Sequence, residues 1–263
     1  MPRLEILTRR PAGRAKPTPL LFVHGAFCGA WIWNAKMLGW FAERGWAAHA
    51  VSLRGHGGSD GGDRIRTHTL SDYVEDVLEA ADGLDAAPVL IGHSMGGLVV
   101  QRALRRRRAP AAVLMASAPP HGLWESSMTL ALRDPYVFQQ MALLTTFGDR
   151  LVDPEAIRRA MFSDRMPHDE ARLYEPYLQE ESTAALLEMY GWNPFPPAPD
   201  RAVPVLVMGA GKDLLVPPGQ VNATARTFGT DAIIVPDMGH TMMLEPGWED
   251  VAERIAGWLE ERL

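Results

Sequence analysis

The run Pro88-Val89-Leu90-Ile91, followed by Gly92-His93-Ser94-Met95-Gly96, constrains the fold of this chain more than any other stretch. Consecutive apolar residues read as a strand buried on both faces. A Gly-x-Ser-x-Gly pentapeptide ends it, and a helix-forming run, Leu98 to Arg108, follows. Strand, sharp turn and helix form the context in which this pentapeptide carries a nucleophile. Ser94 is expected at the apex, on strained backbone, with its hydroxyl lifted out of the sheet. Gly92 and Gly96 are expected to leave room for the neighbouring strand and helix. The helix N-terminus supplies oriented N–H groups and the positive end of a dipole.

The segments around this turn alternate. Leu4–Thr8 reads as an edge strand, and Leu20–Val23 as a strand covered on both faces, ended by His24-Gly25-Ala26-Phe27. Trp31–Arg44 carries Trp33, Met37, Leu38 and Phe41 at helical spacing, Ala47–Leu53 is the next strand, and Leu70–Leu84 is an amphipathic helix with Thr69 or Ser71 as cap. Ala112–Ala116 is a further strand. Strand–helix alternation implies parallel strands joined by right-handed crossovers. From His121 to about Asp200 no strand is legible. Helices are expected at 126–132, 135–145, 154–162, 167–179 and 182–190, with Pro135, Pro154 and Pro167 at first-turn positions. Such a stretch is far longer than an ordinary crossover, and reads as a helical insertion closed by the proline-rich linker Pro194–Pro199. Alternation resumes with the strand Val203–Met208, the helix Pro217–Phe228, the strand Ala232–Val235 and a closing helix, Trp248–Leu263. The expected class is α/β: a mostly parallel central sheet flanked by helices, with a core of residues 1–120 and 201–263 and an inserted helical cap of residues 121–200.

A serine hydroxyl is a poor nucleophile until a base takes its proton, and the base needs an acid to hold its tautomer. His240 follows the last core strand, and Asp213 ends the strand that resumes after the insertion. The order Ser94, Asp213, His240 is the one this arrangement calls for. All three fall at carboxyl ends of strands, where open α/β sheets place their sites. Asp237 is a rival acid, read as a turn former. His93 is a rival base, set aside because a sharp turn sends adjacent side chains in different directions. Acyl transfer also needs oxyanion donors. The backbone N–H of Met95 is one, and that of Ala26, in the loop after Val23, is the other. Phe27 is expected as a wall of the site, with Trp124 and Met128 of the insertion as further lining, since flexible apolar side chains above a serine favour an apolar acyl or alcohol group.

Bulk properties exclude other classes. A net charge of −6 over 263 residues gives no general attraction to nucleic acid or anionic membrane. The basic run Arg105–Arg108 falls where a helix should end, a favourable place for cations. Cys28 is the only cysteine, so no internal disulfide can form, in keeping with a cytoplasmic location. It reads as a small packed side chain. The N-terminus lacks the apolar core of a secretory signal, and no apolar run is long enough to span a membrane. The glycine-rich loop Arg54–Asp60 lacks the Lys-Ser/Thr of a phosphate loop and reads as structural. The histidines show no metal-ligand spacing. No metal and no cofactor is expected. The expected partner is a small-molecule substrate, and oligomeric state is not legible.

Taken together, His24-Gly25-Ala26-Phe27, Arg54-Gly55-His56-Gly57-Gly58-Ser59, Gly92-His93-Ser94-Met95-Gly96-Gly97, Gly211-Lys212-Asp213 and Gly239-His240-Thr241-Met242-Met243-Leu244-Glu245-Pro246 resemble the α/β-hydrolase fold superfamily over nearly the whole chain. The run Phe22 to Trp33 also resembles small-molecule carboxylesterases of the plant methyl esterase kind. The resemblance implies a cap over the site and a serine triad of Ser94, Asp213 and His240. It disfavours members with an aspartate nucleophile, because Ser94 stands at that position. The usual N-terminal hairpin is reduced here to Leu4–Thr8. Cleavage of an ester or thioester of a small apolar substrate is the leading expectation. C–C bond, lactone or amide hydrolysis, cofactor-free perhydrolysis, and a small-ligand receptor built on the same pocket remain alternatives.

Overall fold

Short runs of apolar residues on consecutive positions become strands covered on both sides. The computed structural model describes residues 2–147, 151–191, 193, 196–197, 199 and 202–263. In chain order the first half holds β1 (Ile6–Arg9), β2 (Leu20–Val23), α1 (Trp31–Asn34), α2 (Met37–Glu43), β3 (Ala48–Val51), α3 (Leu70–Asp82), β4 (Val89–His93), α4 (Met95–Leu104) and β5 (Ala112–Met115). Five helices follow: α5 (Trp124–Arg133), α6 (Pro135–Phe147), α7 (Pro154–Met161), α8 (His168–Arg172) and α9 (Thr183–Tyr190). The chain then returns to the sheet with β6 (Val205–Ala210), α10 (Pro218–Phe228), β7 (Ala232–Val235) and α11 (Trp248–Glu260).

The seven strands lie in the order β1-β3-β2-β4-β5-β6-β7. β1 runs antiparallel to β3 at the edge, and the other pairings are parallel. The fold class read from the sequence therefore holds, including the reduction of the N-terminal hairpin to one strand. Alternation along each strand divides the core into two layers. Leu20 and Phe22 of β2 join Trp33, Phe41 and Ile255 on one face, while Leu21 and Val23 join Val77, Val99 and Val221 on the other. Each such buried side chain contributes roughly 1.5–3 kcal/mol.

Several boundaries differ from the sequence expectation. The helix expected over Trp31–Arg44 breaks at Lys36, whose backbone (φ −139°, ψ −54°) leaves the helical region. Its Nζ instead donates to Leu244 O at 3.0 Å. α4 begins directly after Ser94 and stops at Leu104. The arginines beyond it turn back to α3, where Arg106 pairs with Glu75 and Arg107 with Asp82. The helix expected over 167–179 shrinks to α8 and a 3-10 turn at Glu175–Tyr177. Pro176 lies in that turn and has no N–H to extend an α-helix. Thr69 caps α3 through a reciprocal pair: its hydroxyl accepts from Asp72 N at 3.1 Å, and its own N–H donates to the Asp72 carboxylate at 2.8 Å. Of the linker expected at Pro194–Pro199, residues 194, 195 and 198 lie outside the described residues.

Candidate active site

The carboxyl ends of β2, β4, β6 and β7 meet at one rim of the sheet, and each delivers one part of the site. β4 delivers Ser94, with φ 52° and ψ −119°, a positive φ that costs a non-glycine residue roughly 1–3 kcal/mol. The turn is held by Gly97 N and Leu98 N, which donate to Ser94 O at 3.0 and 3.3 Å. A Cβ at Gly96 would lie 2.3 Å from His24 O, and one at Gly92 would lie 2.5 Å from Gly96 O, so only glycine fits at either place.

β6 and β7 deliver the acid and the imidazole. His240 Nδ1–H donates to Asp213 Oδ2 at 2.8 Å, with both side chains buried. The second oxygen of Asp213 accepts from Leu215 N at 2.8 Å and Val216 N at 2.9 Å. With Nδ1 carrying the proton, Nε2 of His240 is left as an acceptor. Ser94 and His240 line one cavity, and no hydrogen bond joins the hydroxyl to the ring. Catalytic bonds of this kind often tighten only when substrate is bound. The rivals are committed to other contacts, although His93 also lines this cavity. His93 is buried, and its Nε2–H donates to the backbone oxygen of His240 at 3.0 Å. Burial and the neighbouring His240 hold His93 well below the usual imidazole range, so it stays neutral. Asp237 is an exposed turn residue with φ 53°, facing Lys212 at 3.8 Å.

β2 delivers the loop His24–Phe27. Among the described residues, neither the Ala26 N–H nor the Met95 N–H donates to a protein acceptor, so both remain available. The loop is pressed against the Ser94 turn: a Cβ on Gly25 would lie 3.1 Å from Ser94 Cβ. Phe27 lines the cavity at Ser94. Trp124 and Met128 do not. They are 56% and 45% exposed on the outer side of α5, and its other side, with Leu123, Ser126 and Leu130, faces the cavity. That cavity is small, about 80 Å³. A second one, of about 390 Å³ and flanked by Trp31, Phe162 and Tyr174, adjoins it. Phe27, Leu144, Ile157, Met161 and Leu178 line both.

Two features fall outside the sequence expectation. Glu181, just before α9, is buried, and its carboxylate accepts from four donors: Tyr73 OH at 2.7 Å, Ser182 N at 2.7 Å, His56 Nε2 at 3.1 Å and Phe27 N at 3.2 Å. His56 Nδ1 lies 3.1 Å from Arg54 O, so both ring nitrogens donate. Burial alone would lower the His56 pKa, but the Glu181 carboxylate outweighs it and the net shift is upward. Burial alone would raise Glu181, yet the His56 charge and the donors hold it below its ordinary 4.5. The second feature is His24. Its Nδ1–H donates to Gly25 O at 2.8 Å, and its Nε2 accepts from Leu53 N at 3.0 Å. Burial, and then the nearby His56, push it down to about 3, so it is neutral. Cys28 is pushed up to about 12 by burial and then by Glu181, which makes it an inert packed thiol. Arg54 binds Asp76 and Asp72 at 2.7 and 2.9 Å, a structural role for its loop. Among the described residues, no group of three His, Cys, Asp or Glu is placed to hold a metal, and no helix is long and apolar enough to cross a membrane.

The His56–Glu181 pair predicts a pH dependence of stability. The raised His56 pKa gives stabilisation that is complete below its ordinary 6.5 and is lost as pH rises through the raised value. The lowered Glu181 pKa gives stabilisation that is complete above 4.5 and is lost as pH falls through the lowered value. The melting difference between wild type and Glu181→Gln should therefore be largest between these limits and shrink toward alkaline pH. A constant difference from pH 5 to pH 9, by thermal denaturation, would contradict the charged pair.

A mostly parallel sheet, a strained serine turn after β4 and an acid–imidazole pair after β6 and β7 define the class of α/β hydrolases. Residues 20–254 match the model of the alpha/beta hydrolase family, and the chain belongs to that family. Compared by sequence with curated proteins, it matches none. Among solved structures it is similar to a thermophilic esterase from Thermogutta terrifontis, at 24% identity and a TM-score of 0.75, covering 99% of this chain and 94% of that one. It is also similar to an esterase from Exiguobacterium antarcticum (15% identity, TM-score 0.77, 98% and 96% covered). A bromoperoxidase from Bacillus anthracis aligns at 14% identity and a TM-score of 0.72, with 98% and 96% covered. At these identities the likeness is one of fold.

Proposed function

We propose that this protein is a serine hydrolase that cleaves a carboxylic ester or thioester of a small, largely apolar substrate through an acyl-enzyme. The observation that carries the reading is the His240–Asp213 bond, made in the wall of the cavity that Ser94 enters. In this mechanism Ser94 Oγ attacks the carbonyl carbon while His240 Nε2 takes its proton, and Asp213 stabilises the imidazolium. The N–H groups of Ala26 and Met95 hold the oxyanion. Collapse breaks the carbonyl–heteroatom bond, and His240 returns the proton to the departing alcohol or thiol. A water deprotonated by His240 then attacks the acyl carbon, releases the acid and restores the Ser94 hydroxyl.

Helices α5–α9, within residues 121–200, act as the cap over this site in the proposal. The small cavity would take the reacting carbonyl and the large one the bulkier substrate group. Narrowing their shared wall with Ile157→Trp should lower kcat/KM for p-nitrophenyl octanoate by about tenfold or more while leaving p-nitrophenyl acetate within about threefold. Equal losses on both esters would contradict the two-chamber reading. The partner proposed is a small molecule rather than nucleic acid or membrane, and the single Cys28 favours a cytoplasmic setting. A panel of esters, thioesters, lactones, amides and β-diketones, assayed at steady state, tests the reaction class. Ester or thioester turnover well above the rest supports the proposal. Preference for another bond, or tight ligand retention without turnover, contradicts it.

A further inference from the structure

Three consecutive peptide planes of the loop after β2 are each pinned from outside. The Gly25–Ala26 plane is held through Gly25 O, which accepts from His24 Nδ1 at 2.8 Å. In a trans peptide the C=O and N–H point in opposite directions, so this bond aims the Ala26 N–H away from His24. The Ala26–Phe27 plane is held through Phe27 N–H, which donates to Glu181 Oε2 at 3.2 Å. The Phe27–Cys28 plane is held through Phe27 O, which accepts from Gln179 N at 3.0 Å. The last two anchors come from one short segment ahead of α9. That segment is itself docked on the core. The Gln179 side chain accepts from Gly57 N at 3.0 Å, and Ser182 Oγ donates to His68 O. Phe27 has a φ of 63°, a conformation that persists in a bulky residue only where its surroundings impose it.

We propose that Glu181 is a positioning residue: by holding the Phe27 N–H it fixes the turn that presents the Ala26 N–H, so that the oxyanion donors are in register only when the segment before α9 is seated. The inference rests on the reading of Ala26 as an oxyanion donor and of Ser94 as the nucleophile. It makes the helical insertion part of the catalytic geometry rather than a cover alone. His56 donates to the same oxygen as Phe27, and Tyr73 holds the other one. Tyr73 therefore shares the network without a hydrogen bond to the loop.

Glu181→Ala, Glu181→Gln, Tyr73→Phe and Ser94→Ala, each in the full-length protein, separate this role from simple stabilisation. Misplacing a donor by about 1 Å costs on the order of 10²-fold in rate. Glu181→Ala should lower kcat on p-nitrophenyl acetate by about 10- to 100-fold with KM within about threefold, and should weaken a trifluoromethyl ketone, whose hemiketal oxyanion needs the same donors, by a similar factor. Glu181→Gln has one acceptor oxygen for four donors and should lose about threefold or more. Tyr73→Phe should lower the melting temperature but keep kcat within about twofold. Should Glu181→Ala fail to fold, Glu181→Gln decides the matter. Wild-type kcat in both Glu181 variants beside an inactive Ser94→Ala overturns this inference alone, as does an equal kcat loss in Tyr73→Phe. An active Ser94→Ala overturns the catalytic reading and this inference with it.

Discussion

Replacing Ser94 by alanine is expected to lower kcat on a short p-nitrophenyl ester by about 10⁴-fold or more, with the fold retained. The acyl-enzyme route needs an oxygen at this position, and the oxyanion donors and the imidazole alone leave only a residual rate. The fold should survive because the hydroxyl makes no hydrogen bond to a protein group among the described residues, while the turn is held by backbone bonds to Ser94 O. Alanine keeps the positive φ of 52° and its strain. Ser94→Gly should be equally inactive yet melt higher, because glycine adopts that φ freely. Circular dichroism and thermal melting beside the rate assay check both parts. Wild-type turnover in either variant contradicts the nucleophile assignment.

Asp213→Asn should lower kcat by on the order of 10⁴-fold with little change in KM. One carboxylate oxygen is committed to the N–H groups of Leu215 and Val216, and asparagine would keep its carbonyl there. Its amide nitrogen would then face His240 Nδ1 in place of the acceptor now 2.8 Å away. Two donors cannot share one bond, so the ring would carry its proton on Nε2, and the base would be lost. Nitrogen NMR of the labelled imidazole reads the tautomer directly. An unchanged tautomer with an unchanged rate would contradict the role given to Asp213.

The geometry of the candidate site is legible in the sequence where the backbone dictates it. A strained turn between a buried strand and a helix demands the glycines around Ser94, and parallel strands bring Asp213 and His240 to the same rim although 119 and 27 positions separate Ser94 from Asp213 and Asp213 from His240. The cavity lining drawn from helices α5–α9 is not legible in this way. On α5, Trp124, Met128 and Leu132 form one stripe at helical spacing, and Ser126 and Leu130 lie on another. The larger side chains of the first stripe argue for burial, yet the second is the buried one. Periodicity finds a helix face but does not say which neighbour covers it. The His56–Glu181 pair was hidden for a different reason. Charged residues far apart in the chain read as solvated until the fold encloses them, and only the four donors around Glu181 make its burial tolerable. A signal is present in that His56 follows a strand end, as Ser94, Asp213 and His240 do, but a lone histidine in a glycine-rich loop carries no partner's address.

Covalent labelling tests the central claim most directly. A fluorophosphonate, incubated with the protein and followed by peptide mapping in a mass spectrometer, should add one phosphonyl group, on Ser94, with loss of esterase activity in proportion and no labelling of Ser94→Ala. Full ester turnover in protein that takes up no label, or a label on a different residue that abolishes turnover, would show that the nucleophile is not Ser94.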